Sequence, residues 1–69
     1  MTGLRKIRIE IGLIQCEAAS ALWIKPSAYS HYENGIREPN LGTLVKISDF
    51  FGVSIDFLVR GEEFKAPQK

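Results

Sequence analysis

The chain has 69 residues and a formal net charge of +1, with 45% apolar and 25% charged residues. A folded chain of this length buries only about 60% of the surface that its unfolded form exposes, so we expect one thin core and no second domain. One cysteine and one histidine exclude an intramolecular disulfide and a metal site built on such ligands. We see no signal peptide or membrane span, and therefore expect a cytoplasmic protein. We also expect that it binds no cofactor.

The charge is distributed unevenly along the chain. Residues 1–37 carry five basic and three acidic side chains, a net charge of +2, whereas residues 38–69 carry four basic and five acidic side chains, a net charge of −1. A mildly basic first half is compatible with a surface that faces phosphates, but it is far from the strongly basic domain that would indicate nucleic acid by itself. Composition therefore leaves the function open.

The first predicted element is a short helix. Apolar residues recur every three or four positions after Thr2, which is predicted to be the N-cap, and Gly12 is predicted to end the helix. A brief alternation of polar and apolar residues at 6–11 is also typical of a strand, but the two end signals favour a helix.

Four more short helices are predicted along the chain. The second and third lie on either side of a break at Trp23–Pro26. The fourth runs from an N-cap at Asn40 to Gly52, and the fifth begins at Ser54. A polar tail is predicted for residues 62–69.

Helices this short are unstable alone, so they must pack on one another around a shared core. The apolar residues at helical spacing supply that core. We expect it to contain Leu4, Ile7, Ile11, Leu13, Ala19, Leu22, Ile24, Tyr29, Leu41, Leu44, Ile47, Phe51, Val53 and Leu58.

The stretch from Gln15 to Asn34 is the most informative part of the sequence. Ala19 provides the small side chain that two helices need where they cross closely around a tight turn. Tyr29 and Tyr32 lie three residues apart and would hold the second of these helices by its inner face. Its outer face then stays free, and the major groove of DNA is wide enough to admit such a helix.

Several motifs occur in a fixed order between Leu4 and Leu58. They are Leu4-Arg5-x-x-Arg8, Gly12-Leu13-x-Gln15, Ala19, Ser30-x-x-Glu33-Asn34-Gly35, Arg37-x-Pro39, Leu41-x-Thr43-Leu44 and Gly52-Val53-Ser54. Together they resemble the phage Cro and repressor type of helix-turn-helix DNA-binding domain. The resemblance implies an all-α, compact five-helix bundle of the lambda-repressor-like type, with the helix-turn-helix at helices 2 and 3. It assigns residues 1–61 to the domain and 15–34 to the motif.

The resemblance also implies a set of DNA-contacting residues on helices 2 and 3 and in the loop that follows. Helix starts and basic or amide side chains suit phosphates, and short polar or apolar side chains suit base edges. Each of these residues also has a plainer interpretation as an ordinary solvent-exposed helix or turn residue. The implied contacts are Gln15, Lys25, Ser27, Ala28, Ser30, His31, Asn34, Gly35 and Arg37, and the family's structural ion pair falls on Arg8 and Glu33.

Three positions depart from the family pattern. Trp23 stands where the family usually has a glycine with a positive φ, and a bulky residue there costs on the order of 1–2 kcal/mol. We therefore expect either a reshaped turn or a ring that regains energy by covering the core. Lys25 replaces the usual capping Ser or Thr before Pro26, which suits a first helical position. Ile14 likewise replaces a capping residue.

The expected function is sequence-specific binding of double-stranded DNA by a transcriptional regulator that acts as a repressor. Useful affinity generally needs two such domains, so we expect a homodimer on a pseudo-palindromic operator, with recognition helices about 34 Å apart. Apolar residues near the end of the chain, Phe57, Val59 and Phe64, are the predicted dimer interface.

Two other functions compete with DNA binding as interpretations of the sequence. A protein-binding module on the same fold, such as an antitoxin, is the alternative, because the net charge is low and the C-terminal surface is aromatic. A small enzyme is disfavoured: Cys16 and His31 lie on different predicted helices, with no third group to orient them.

Overall fold

The structure, a computed structural model, describes residues 1–62 of the chain. Within them lie five α-helices and no strand, which confirms the predicted all-α fold and the helix-turn-helix at the second and third helices. Phe64 and most of the predicted tail fall outside the described residues. No helix within 1–62 is long and apolar enough to cross a membrane. The helices are α1 (Thr2–Ile11), α2 (Gln15–Ala21), α3 (Pro26–Asn34), α4 (Leu41–Phe51) and α5 (Ile55–Arg60).

Local side-chain bonds set the starts of the last two helices, as the sequence predicts. The Asn40 side chain accepts a hydrogen bond from the Thr43 amide at the start of α4, and the Ser54 hydroxyl accepts one from the Phe57 amide at the start of α5. Each bond satisfies an amide that would otherwise lack a partner in the first turn. Both helices therefore begin where the capping residues place them.

The start of α1 corrects the prediction that Thr2 is its N-cap. Thr2 is already helical. Met1 is at the N-cap position, and its side chain has no oxygen that could accept a hydrogen bond from the first turn. The Met1 nitrogen instead donates hydrogen bonds to the carbonyl oxygens of Tyr32, at 3.0 Å, and Glu33, at 3.3 Å. Contacts with α3 therefore fix this end of α1, and a local cap is not needed.

The core lies where α1 packs on α5 and α2 packs on α3. Ile7, Leu13, Ile24 and Val53 are half-buried against it. The prediction of burial in the core is wrong for two residues: Ile11 is 51% exposed and Leu41 is 72% exposed. They stand at the last position of α1 and the first of α4, where the helix passes beyond its neighbours. The buried apolar residues are Leu4, Ala18, Ala19, Leu22, Tyr29, Ile47, Phe51 and Leu58.

Gly3 lies directly against the backbone of α5. A Cβ at this position would stand 1.7 Å from the Phe57 carbonyl oxygen and 2.9 Å from the Leu58 Cα. Lys6 strengthens the same contact, because its Nζ donates a 2.8 Å hydrogen bond to the carbonyl of buried Gly61. The close approach of α1 to α5 thus depends on the missing side chain of Gly3.

Replacing Gly3 with Ala should force α1 away from α5 and lower the free energy of unfolding by about 3 kcal/mol. Urea unfolding followed by circular dichroism measures the change. Gly42→Ala is the matched control, because Gly42 is also the second residue of its helix and its nearest neighbour would be Asn40 Oδ1 at 3.7 Å. That variant should match or slightly exceed the original stability. Equal effects of the two substitutions would contradict the role given to Gly3.

Candidate nucleic-acid interface

The start of α2 uses a substitute for the capping residue that the family usually has. Ile14 is extended and cannot accept a hydrogen bond through its side chain. The Glu17 carboxylate, one turn into the helix, accepts a 2.9 Å hydrogen bond from the Ile14 amide. This bond satisfies one free amide and places a negative charge in the first turn, where the helix dipole favours it. The departure at Ile14 therefore leaves the start of α2 intact.

The turn between α2 and α3 keeps the backbone conformation that a glycine would take. Trp23 has a φ of 58°, so the expectation of a reshaped turn is wrong. The expectation that the ring covers the core is wrong as well, because Trp23 is 90% exposed. The turn is held by its neighbours: Leu22 is buried, and the Ile24 amide donates a 2.9 Å hydrogen bond to the Ala19 carbonyl.

α3 is buried on one face and open on the other. Tyr29 and Glu33 are buried, whereas Ser27 and Asn34 are exposed. The remaining candidates on this helix, Ala28, Ser30 and His31, are half-buried at its flanks. The exposed and half-buried polar residues share one stripe along the helix because they recur every three or four positions. None of the polar residues in this stripe is fully buried by the rest of residues 1–62.

The ends of α3 carry the two exposed cations among the candidate contacts. Lys25 is the extended N-cap residue that precedes Pro26, and Arg37 follows the C-terminal turn at Gly35. Gly35 has a φ of 75°, which glycine adopts at little cost, and the Arg37 amide then donates to the His31 carbonyl at 3.3 Å. Since a nine-residue helix is about 14 Å long, the two cations bracket the polar stripe.

Arg8 and Glu33 form the ion pair that links α1 to α3. Arg8 Nε lies 2.6 Å from Glu33 Oε2, and Arg8 Nη2 lies 3.1 Å from Glu33 Oε1. The Arg8 side chain is 11% exposed and that of Glu33 is fully buried. Arg8 Nη1 also donates a 2.8 Å hydrogen bond to the Leu13 carbonyl, in the loop before α2. The single guanidinium therefore ties together α1, the α1–α2 loop and α3.

Gln15 joins the same network, which the sequence analysis missed. Its Nε2 donates a 3.1 Å hydrogen bond to Glu33 Oε1. This uses one of the two amide N–H bonds that were expected to face a phosphate. No local sequence signal marks the bond, because it depends on how α2 crosses α3.

The network shifts the pKa values of its members in opposite directions. Burial alone would raise the pKa of Glu33, but the hydrogen bonds from Arg8 and Gln15 outweigh burial and hold it below its ordinary value of 4.5. Burial raises the pKa of the Tyr29 hydroxyl well above its ordinary value of 10.0, and the nearby Glu33 carboxylate adds to the rise. At neutral pH the network therefore holds a charged carboxylate, a charged guanidinium and a neutral phenol.

Two further contacts concern the candidate residues on α3. Asn34 Nδ2 donates a 3.4 Å hydrogen bond to Ser30 Oγ. The hydroxyl of Ser30 then keeps its own proton free to donate outward. The Nδ1 atom of His31 is buried and has no hydrogen-bond partner among residues 1–62.

Replacing Glu33 with Gln should lower the free energy of unfolding by about 2–3 kcal/mol at pH 7, because Arg8 loses its buried counter-charge. The folded-state pKa of Glu33 is depressed, so its stabilisation is present above 4.5 and is lost as the pH falls through the lower folded value. The difference between the two proteins should therefore shrink below pH 4.5, as measured by urea unfolding across pH.

Glu10→Gln provides the matched control for this measurement. Glu10 is an exposed residue of α1, and its substitution should change stability little at any pH. A difference for Glu33→Gln that stays constant down to the acid end of the folded range would refute the assignment of a depressed pKa.

The chain matches the family model for helix-turn-helix proteins over residues 4–58. It is 44% identical over 59 residues to an uncharacterized HTH-type transcriptional regulator, YqaE, of Bacillus subtilis, covering 86% of this chain and 51% of YqaE. It is 45% identical over 58 residues to the SPbeta prophage-derived HTH-type regulator YonR of the same species, covering 84% of this chain and 54% of YonR.

A third relative is the cryptic phage CTXphi transcriptional repressor RstR of Vibrio cholerae. It is 35% identical over 66 residues, covering 96% of this chain and 60% of RstR. The chain thus spans between half and three-fifths of the length of these three relatives. No solved structure matches it. With a family match over most of its length and relatives of phage origin, the chain belongs to the helix-turn-helix family of the phage Cro and repressor type.

Proposed function

We propose that the chain is a sequence-specific, double-stranded DNA-binding transcriptional regulator that places α3 in the major groove. The observation that carries this proposal is the one-sided burial of α3. Tyr29 and Glu33 hold its inner face, and its outer stripe presents hydrogen-bonding side chains between two cations. A helix held in this way can project into a groove without giving up its own packing.

The side chains on the outer stripe suit base edges. Ser27, near the start of α3, can donate to or accept from a base, and the methyl group of Ala28 suits the methyl group of thymine. His31 would donate through a ring N–H to an acceptor such as guanine N7 or O6. Lys25 can reach either guanine or a phosphate. These residues are the proposed source of sequence specificity.

The residues around the ends of the helices suit phosphates. Arg37 and the backbone at Asn34 and Gly35 would hold one phosphate at the C-terminal end of α3. Gln15 retains one side-chain N–H after its bond to Glu33, and Ser30 retains its hydroxyl proton after accepting from Asn34. These groups would fix the register of the protein on the duplex without reading its sequence.

Repression is the proposed direction of regulation. The similarity to RstR, a repressor by name, covers nearly the whole chain. A domain of this size, bound across a promoter, would block polymerase by occupying the same DNA.

Charge reversal at Lys25 or at Arg37 should weaken binding by roughly tenfold or more, because each removes a phosphate-facing cation and adds an anion. Fluorescence anisotropy with a duplex recovered from a randomised pool measures the affinity. The control is Lys46→Glu, on the exposed face of α4, which makes the same charge change outside the proposed interface. The original protein should also lose affinity steeply as salt rises. A salt-independent affinity, or equal losses for all three variants, would count against the proposed interface.

A homodimer through α5 is the proposed assembly. Val59 is 53% exposed and Phe57 is half-buried on this helix, while Phe64 falls outside the described residues. Val59 also lines a pocket of about 150 Å³ with Leu44 and Pro39. Association of two copies there would cover apolar surface and pair two recognition helices.

Sedimentation equilibrium over a concentration series tests the dimer. The original chain should form dimers in the micromolar range, and Val59→Asp should remain monomeric because the interface would have to bury a carboxylate. Ile36→Asp makes the same kind of change at a residue that is 67% exposed outside α5, and should still dimerise. A monomer for the original chain up to high micromolar concentration would remove the proposal.

A protein-binding module, such as an antitoxin, is the second candidate. The apolar surface around Leu41, Val45 and Val59 favours it, because each of these side chains is at least 44% exposed. Lys25→Glu separates the two functions: it should weaken DNA binding by roughly tenfold or more and leave binding to a protein partner unchanged.

A further inference from the structure

We propose that Trp23 is a direct DNA contact, with its indole ring packed on the sugar–phosphate backbone beside the start of α3. The flat face of the ring would lie on a deoxyribose, and the Nε1–H would donate to a phosphate oxygen. This inference rests on the proposed function and adds to it a contact that the family pattern, which usually has glycine at this position, does not provide.

The backbone at Trp23 is the first observation. Among residues 1–62, Trp23 is the only residue other than glycine with a positive φ. A side chain disfavours this conformation because its Cβ approaches the following carbonyl oxygen, whereas glycine has no such conflict. Strain of this kind persists when the surrounding structure imposes it, and it is concentrated at functional sites.

The exposure of Trp23 is the second observation. At 90% it is the most exposed of the large apolar side chains within residues 1–62, and the next of these, Leu41, is 72% exposed. The ring therefore gains nothing from the core to offset the strained backbone. The strained backbone at Trp23 costs free energy in the unbound protein, and the uncovered indole does not offset that cost. A contact made by the ring in the bound state would offset it.

The backbone of the turn directs the Trp23 side chain away from the core. The Trp23 amide donates a 3.2 Å hydrogen bond to the Ser20 carbonyl, and the Ile24 amide donates to the Ala19 carbonyl. Leu22 before Trp23 is buried, and Ile24 after it packs against the core. Because both neighbours face inward, the Trp23 side chain is directed to solvent.

The surroundings of Trp23 favour DNA over a protein partner. Its exposed neighbours along the chain are the polar or cationic Ser20, Lys25 and Ser27 and the small apolar Ala21 and Pro26, with no large apolar side chain among them. A protein-binding anchor is typically set within an apolar patch, whereas the exposed apolar side chains of Leu41, Val45 and Val59 lie on α4 and α5. An amphipathic ring next to a lysine at the start of the recognition helix suits a sugar and its phosphate.

Trp23 is the only tryptophan in the chain, so its fluorescence reports on this contact directly. Excitation beyond the tyrosine absorption band isolates its signal. Adding the duplex recovered from the randomised pool should quench the emission and protect the ring from acrylamide. A change that appears with rising protein concentration in the absence of DNA would instead place a second copy of the chain on Trp23 and overturn the inference.

Substitutions separate the ring from the backbone strain. Trp23→Gly removes both, so it should bind DNA about fivefold more weakly or worse while its melting temperature stays equal or rises. Trp23→Ala removes the ring and keeps the strain, so its affinity should fall equally while its melting temperature stays close to that of the original protein and does not exceed that of Trp23→Gly. The salt dependence should not change in either variant, because the indole releases no counterions. Ile9→Ala, at another exposed apolar residue, should bind normally.

The outcomes also distinguish this inference from the proposed function. Unchanged affinity in Trp23→Gly, with binding still lost in Lys25→Glu, would overturn the contact and leave DNA binding in place. Failure of the original protein to retain any duplex from the pool would overturn the proposed function and this inference together.

Discussion

The buried ion pair between Arg8 and Glu33 is the interaction on which the position of α3 depends. Glu33 belongs to α3, the proposed recognition helix, and its side chain has no exposure, so its charge must be balanced within the protein. Arg8 does so with two hydrogen bonds, and its third bond reaches the loop before α2. Gln15 then adds the first residue of α2 to the same carboxylate. One carboxylate thereby orients both helices of the helix-turn-helix.

This arrangement explains how so thin a core can hold α3 in one orientation. The inner face of α3 is held by an aromatic side chain, Tyr29, and a paired charge, Glu33. Directional bonds of that kind specify the rotation of a helix more narrowly than apolar packing alone, because a slip would leave a buried charge unpaired. The Met1 contacts to the end of α3 and the turn at Gly35 limit its movement further. The contacts on the inner face of α3 therefore determine which residues lie on its outer stripe.

The departures from the family pattern are resolved in different ways. At Ile14 the lost cap is replaced by a bond from Glu17, and at Lys25 the helix start relies on Pro26, whose φ already suits a first helical residue. Trp23 has no such compensation within the described residues: its backbone is strained and its ring is exposed. The fold does not offset the backbone strain at Trp23, and the proposed contact of its ring with DNA would offset it.

The sequence by itself determined the number of helices, both ends of α4 and the start of α5, because caps and glycine turns act locally. Its ordered motifs also indicated the family, and the resemblance to that family implied the Arg8–Glu33 pair. Only the tertiary structure decided which ends of the helices are covered, so Ile11 and Leu41 are exposed despite their helical spacing. It also decided that Gln15 bonds Glu33 and that Trp23 faces outward. These outcomes depend on how helices distant in the chain meet, and no local pattern of residues carries that information.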